Sequence, residues 1–197
     1  MSNFRFAITP IAFMYLANIS FASSNTWVRF KIGYTLGTHE GTFSTISKQI
    51  SGTQDPFTWK GQFKVKLEDA EISDRKLKCH FLESMGVDYS KSAFPKSHVC
   101  TSDDQLPKEG PDSIAYPEIV FSLDQVSPAK ESGRYLADGT WTIHGVSKKV
   151  SRIPFEIHDG YVRLSTQIHL KDFGIQVKGF LFISTADTAE VEIQVKP

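Results

Sequence analysis

Residues 158–170 read HDGYVRLSTQIHL, and this stretch decides the fold class. After Asp159-Gly160, one parity carries Val162, Leu164, Thr166, Ile168 and Leu170, while the other carries Arg163, Ser165, Gln167 and His169. A period of two is typical of a β-strand with one buried face. An alternating run also precedes Asp159-Gly160, and this dipeptide between two such runs favours a tight hairpin turn. The stretch therefore predicts two antiparallel strands.

The same alternation recurs along most of the chain. Turn signals separate the runs, among them residues 52–56, Ser132-Gly133 and Ala186-Asp187. Many alternating strands joined by short turns predict an all-β antiparallel sandwich or barrel, and a barrel of about eight strands would turn one parity inward. That face either fills the interior or lines a cavity. Its large residues are Phe30, Phe63, Val65, Leu67, Phe121, Leu123, Trp141, Ile143, Phe155 and Ile168.

One region, residues 72–113, interrupts the strand pattern. Residues 74–84 (DRKLKCHFLES) place Leu77, Phe81 and Leu82 at helical spacing, with Ser73 or Asp74 as N-cap, which predicts a short helix. Residues 95–112 are polar and contain several prolines, which predicts a long surface loop tied back by Cys100.

The N-terminus indicates export. The apolar run of residues 6–19 is followed by Ser20-Phe21-Ala22, which predicts a cleaved signal peptide at residues 1–22 and a single mature domain at 23–197. An uncleaved anchor is the alternative, but the run is shorter than the roughly 20 residues of a spanning helix, so we expect no stable membrane insertion after cleavage.

Export gives the two cysteines a structural interpretation. In an oxidising compartment Cys79 and Cys100 are expected to pair, closing a loop of about 20 residues worth about 3 kcal/mol in the chain-entropy model. Two free buried thiols are the alternative.

Charge and motifs narrow the function classes. Lys+Arg and Asp+Glu are both 22, so the chain lacks the basic excess of a nucleic-acid binder. The six histidines form no close metal-ligand pair, and neither a G-x-S-x-G elbow nor a phosphate-binding loop occurs. We therefore expect no metal, no cofactor and no catalytic residue of a recognised kind.

Several segments, taken in order over residues 27–197, resemble the YceI family of exported bacterial proteins. They are residues 37–43 (GTHEGTF), 74–77 (DRKL), 116–122 (YPEIVFS), 139–148 (GTWTIHGVSK) and 172–175 (DFGI). The resemblance implies an elongated, lipocalin-like antiparallel barrel partly covered by a helix, with an isoprenoid chain of polyprenyl or quinone type bound inside. The inward residues given above would then line the cavity.

Two polar residues bear on this cavity. Arg75 is a candidate contact for the head group of the ligand, or else the partner of a structural carboxylate. His144 opens the I-H-G-V turn and is expected to shape that turn rather than to contact ligand.

Two functions remain. The first is a periplasmic carrier that holds an amphiphilic isoprenoid and is not an enzyme; the second is a hydrolase or isomerase acting on a lipid-like substrate in the same cavity. An enzyme would need convergent titratable groups inside the cavity. The inward strand positions hold none, which favours the carrier.

Overall fold

The computed structural model describes residues 25–87, 115–176 and 185–197. Within these ranges nine strands form one sheet, accompanied by one α-helix and short 3-10 turns at Pro56–Thr58, Leu67–Asp69 and Leu170–Phe173. The elements are β1 (Trp27–Tyr34), β2 (Gly37–Phe43), β3 (Ser47–Ser51), β4 (Lys60–Lys66), α1 (Arg75–Ser84), β5 (Glu118–Pro128), β6 (Arg134–Ile143), β7 (Val146–His158), β8 (Tyr161–His169) and β9 (Thr185–Val195).

The sheet is antiparallel throughout and is curled into a half-barrel. Its order is β2-β1-β9-β8-β7-β6-β5-β4-β3, so the two edge strands, β2 and β3, are consecutive in sequence. Only residues 44–46 join them, and such a link spans at most about 14 Å. The two edges must therefore lie close together. The prediction of an antiparallel, lipocalin-like barrel is confirmed.

A β-bridge ties the edge strand β2 to the segment that follows β4. The Thr42 N–H donates to the Glu71 carbonyl at 3.0 Å, and the Glu71 N–H donates to the Thr42 carbonyl at 2.7 Å. Arg75 begins α1 soon after this bridge, so the bridge holds the start of the helix near β2.

The helix forms where the sequence predicts it. The Asp74 carboxylate accepts the Leu77 N–H at 2.8 Å and caps the first turn. Cys79 and Leu82 are buried. Lys78 donates to the Glu68 carbonyl at 3.3 Å, and burial lowers the pKa of its amine against the opposing effect of Asp69 and Glu71. The described residues contain no helix with the length and hydropathy needed to span a bilayer.

The turn signals have mixed outcomes. Asp159 and Gly160 adopt φ values of 52° and 75° and join the paired residues His158 and Tyr161, which confirms the β7–β8 hairpin. The turn predicted at Ala186-Asp187 is wrong, because β9 already begins at Thr185. Both residues lie where the register of β9 against β1 shifts, between the pairs Ile32–Ala189 and Tyr34–Thr185, so the small and polar residues accompany a strand irregularity rather than a turn.

Other predictions fall outside the described residues. These are the signal peptide at residues 1–22 and the whole loop at 95–112, which includes Cys100. Cys79 lies on α1 with no exposed surface, and its pairing with Cys100 stays a prediction.

Candidate ligand-binding cavity

A cavity of about 860 Å³ lies between the inner face of the sheet and α1. The apolar face therefore does not fill the interior. Of the residues predicted to line a cavity, the structure brings most together on its wall. These are Phe30, Phe63, Val65, Phe121, Leu123, Trp141, Ile143, Phe155 and Ile168.

Leu67 does not lie on the cavity wall. The sequence places it in phase with Phe63 and Val65, but β4 ends at Lys66 and Leu67 begins a 3-10 turn. Leaving the strand breaks the period of two, and the Leu67 side chain is fully buried elsewhere in the core.

Arg75 is also absent from the wall, so the structure does not support its predicted contact with a ligand head group. The helix presents Leu77, Phe81 and Ser84 to the cavity, at the spacing of one helical face. Arg75 precedes Leu77 by two positions, which is about 200° around the helix at 3.6 residues per turn. It therefore belongs to a different face of α1.

Aromatic packing attaches α1 to the barrel. The Phe81 ring stacks on the Phe30 ring with centroids 5.0 Å apart. Phe30 also packs against Phe43, with ring centroids 5.8 Å apart. Gly41 makes room for this ring, because a Cβ atom at that position would lie 2.3 Å from the Phe30 Cζ atom. On the far wall, Phe121 and Trp141 pack with centroids 4.6 Å apart.

The polarity of the wall changes from one end of the barrel to the other. Strand pairing brings the Tyr34–Gly37 turn, Thr185 and the His144-Gly145 turn to the same end. We call this end the polar mouth; the inward polar side chains that line it are His39, His80, Glu83, Ser84, His144 and Gln176. Glu40 and Lys64 also border the cavity, but they belong to the outward parity of β2 and β4 and form ion pairs with Lys31 and Glu118. The opposite end, called the closed end, is lined by apolar residues, namely Phe43, Ile46, Trp59, Val162 and Val195.

Three side chains at the polar mouth are exposed and show that solvent reaches it: His80, Glu83 and Gln176. The His80 Nδ1 atom lies 3.6 Å from a Glu83 carboxylate oxygen. His39 stacks on the Tyr34 ring with centroids 4.1 Å apart. His39 faces the cavity because it pairs with Ile32, and directly opposed residues of an antiparallel pair share a face.

His144 holds three elements together at the mouth. Its Nδ1 atom lies 3.2 Å from the Phe173 carbonyl, which can only accept, so Nδ1 carries the hydrogen. The imidazole also packs edge-on against Tyr116, with centroids 4.9 Å apart. A Cβ atom added to Gly86 would lie 3.0 Å from the His144 Nε2 atom, so the turn that follows α1 also packs against the imidazole. His144 thus forms the turn and lies on the wall.

The inward strand positions named from the sequence hold no titratable group, but the structure adds titratable groups at the mouth, including His39 of β2. Sequence parity located the strand positions but missed His80 and Glu83, which come from α1, and His144, which comes from a turn. The spacing of His80 and Ser84 on the helix could have indicated them once Leu77 and Phe81 were assigned inward. The described ranges bring together no group of three or more His, Cys, Asp or Glu side chains suited to a metal ion.

Fold and cavity define the class: a lipocalin-like antiparallel half-barrel enclosing an apolar cavity with one polar mouth. The sequence pattern of the YceI-like domain matches residues 20–196, and the chain belongs to this family.

Two solved structures have a similar fold. BcnA from Burkholderia cenocepacia is 15% identical, with a TM-score of 0.55 over 86% of this chain and 94% of its own. A polyisoprenoid-binding domain from Saccharophagus degradans, implicated in plant cell wall breakdown, is 8% identical, with a TM-score of 0.54 over 88% of this chain and 93% of its own. At these identities the likeness is one of fold. No curated protein matches the sequence.

Proposed function

We propose that this protein is a periplasmic carrier of an amphiphilic isoprenoid of polyprenyl or quinone type. The isoprenoid tail occupies the apolar cavity, and the head group lies at the polar mouth. The observation that carries the proposal is the distribution of polarity: an apolar cavity of about 860 Å³ whose inward polar side chains gather at one end. Membership of the YceI-like family and the polyisoprenoid-binding Saccharophagus domain of similar fold support it.

The cavity volume suits one amphiphile. At about 30 Å³ per non-hydrogen atom, the volume of a liquid water, 860 Å³ holds about 29 atoms, or five to six isoprene units. Ligands of this size gain about 0.3 kcal/mol per atom, which gives about 9 kcal/mol and a Kd of about 0.1–1 μM. Burial of the tail supplies this energy without polar recognition, at about 25 cal/mol per Å².

A carrier is favoured over a lipid hydrolase or isomerase by where the polar groups lie. In the described residues, His80 and Glu83 sit at the exposed mouth, and the Nδ1–H of His144 is committed to the Phe173 carbonyl. The middle of the wall, around Phe121 and Trp141, is apolar, so a tail lying there would meet no acid, base or nucleophile.

The periplasmic location rests on the export pattern of residues 1–22. Protein recovered from the periplasm is expected to begin near Ser23 when its N-terminus is sequenced. Retention of Met1 in a membrane fraction would contradict this part of the proposal.

Lipid extraction from the freshly purified protein, followed by mass spectrometry, tests the carrier function directly. Titration of delipidated protein with an isoprenoid quinone and with a polyprenol should change the fluorescence of Trp141, which lies on the wall. The Trp141→Phe variant is the control, because it should bind with similar affinity while losing the part of the signal that comes from Trp141 and keeping the part that comes from Trp59. A protein that carries no lipid and binds neither probe would refute the proposal.

A further inference from the structure

A second recess lies at the closed end of the barrel, on the other side of Trp59. Its volume is about 630 Å³. Its apolar walls are Ile50, Ile157 and Pro197, and its exposed rim consists of Ser51, Gly52, Thr53, Gln54 and Gly160. Trp59 belongs to the walls of both the main cavity and this recess. A single indole therefore stands between the two spaces.

The recess continues the interior of the barrel. Ile157 of β7 pairs directly with Val162 of β8, and directly opposed residues of an antiparallel pair lie on the same face of the sheet. Val162 lines the main cavity, whereas Ile157 lines the recess. The same inward face thus runs from one space to the other, interrupted at Trp59.

The surrounding loop fixes the Trp59 indole in this position. Its Nε1–H donates to the Thr53 carbonyl at 2.9 Å, and the Thr53 N–H donates to the Thr58 hydroxyl at 2.8 Å. That hydroxyl donates in turn to the Asp55 carbonyl at 2.7 Å. Gly52 abuts the indole so closely that a Cβ atom there would lie 2.9 Å from the Trp59 Cδ1 atom. Trp59 is 9% exposed, and these contacts hold the indole between the two spaces.

We propose that Trp59 determines specificity for tail length by forming the floor of the ligand cavity. This inference rests on the proposed function, which supplies the tail. Tails of up to about six isoprene units end at the indole, at about 30 Å³ per non-hydrogen atom. Longer tails leave apolar units outside the mouth in water. Removal of the indole joins the recess to the cavity and adds room for about 20 atoms, or four units.

The test compares affinities for polyprenols of about three, six and ten isoprene units by calorimetry, lengths chosen to bracket the capacity of the cavity. For the wild type we expect affinity to rise from the short to the medium probe and to gain nothing at the longest. For Trp59→Ala we expect the longest probe to bind about tenfold more tightly than the medium one. Trp27→Ala is the matched control: it removes an indole that lines neither space, and it should leave the length limit unchanged.

Two further variants keep the test decisive if Trp59→Ala folds poorly. Trp59→Leu retains an apolar core residue and should still extend the limit. Adding Ile157→Trp to Trp59→Leu refills the recess and should restore the wild-type limit.

A wild type that binds the longest probe more tightly than the medium one, or a length limit unchanged in Trp59→Leu, would overturn the role of Trp59 while leaving the carrier function intact. Failure of the wild type to bind any probe would instead refute the proposed function, and this inference with it.

Discussion

Replacement of Gly41 by alanine is expected to loosen the attachment of α1 to the barrel. The added Cβ atom would lie 2.3 Å and 2.5 Å from the Phe30 Cζ and Cε1 atoms, and 2.9 Å from the Ile72 Cγ1 atom. Carbon atoms in contact prefer about 3.5–4.0 Å, so the Phe30 ring must move by more than 1 Å. The ring is stacked on Phe81 and is 8% exposed, so its movement displaces the helix.

The magnitude follows from the cost of overpacking. Forcing a methyl group into a filled site costs about 1–3 kcal/mol, against which the lower entropy of the unfolded alanine chain returns about 0.4–1 kcal/mol. We therefore expect Gly41→Ala to lose about 1–2 kcal/mol of the free energy of unfolding and to bind isoprenoids more weakly. Urea denaturation followed by circular dichroism measures the first effect, and unchanged m-values would show that compactness is preserved.

Gly33→Ala in the adjacent strand is the matched control. A Cβ atom at Gly33 would meet only the Ala186 Cβ atom, at 3.8 Å, an ordinary contact, so its stability should be unchanged or slightly higher. Phe30→Leu removes the ring that clashes, and the Gly41→Ala cost should fall in that background by about 1 kcal/mol or more. Equal stabilities for Gly41→Ala and Gly33→Ala, or purely additive effects with Phe30→Leu, would refute the reasoning.

Three other perturbations test separate features. Phe121→Glu places a carboxylate on the apolar wall at a cost of several kcal/mol and should abolish binding or folding. Ser122→Glu, on the outer face of the same strand, should abolish neither. Circular dichroism measures folding, and titration with an isoprenoid probe measures binding. If Cys79 and Cys100 pair, denatured but unreduced periplasmic protein should show no thiol by titration, and two reactive thiols would contradict the pairing. Burial lowers the pKa of Lys78 below 10.5, so the unfolded chain binds this proton more tightly and the free energy of unfolding should rise with pH towards 10.5. Lys78→Met should remove that rise in urea unfolding measured over a series of pH values. The same dependence of unfolding free energy on pH in Lys78→Met would contradict this prediction.

The local elements were predictable because their causes are local. Adjacent residues of a strand point to opposite faces, so a period of two identified Phe63, Phe121 and Trp141 as inward residues before their strands were known to pair. The α1 boundary depends on the Asp74 cap, and the β7–β8 hairpin depends on Asp159-Gly160. Each lies within a few residues of the structure it specifies.

The site was predictable only in part, because parity holds only while the chain remains in a strand. Leu67 lost its inward position when β4 ended one residue earlier. Arg75 could not be assigned to a face of α1 until the helix had docked through Phe81. His80 and His144 reached the polar mouth from a helix and a turn, where alternation carries no information. His39 reached it from β2, whose residues GTHEGTF show no alternation of apolar and polar side chains.

The sequence by itself determined the strands, their two faces and the helix, because hydrophobic alternation and helix capping depend on residues only a few positions apart in the chain. Tertiary structure alone decided that the apolar face encloses a cavity, that polar groups gather at one end, and that Trp59 lies on the walls of both the cavity and the recess. These features depend on how residues far apart in sequence meet when the sheet curls, as β2 and β9 meet β1. Strand register and sheet closure set those meetings, and both arise from the packing of the whole barrel rather than from any single segment.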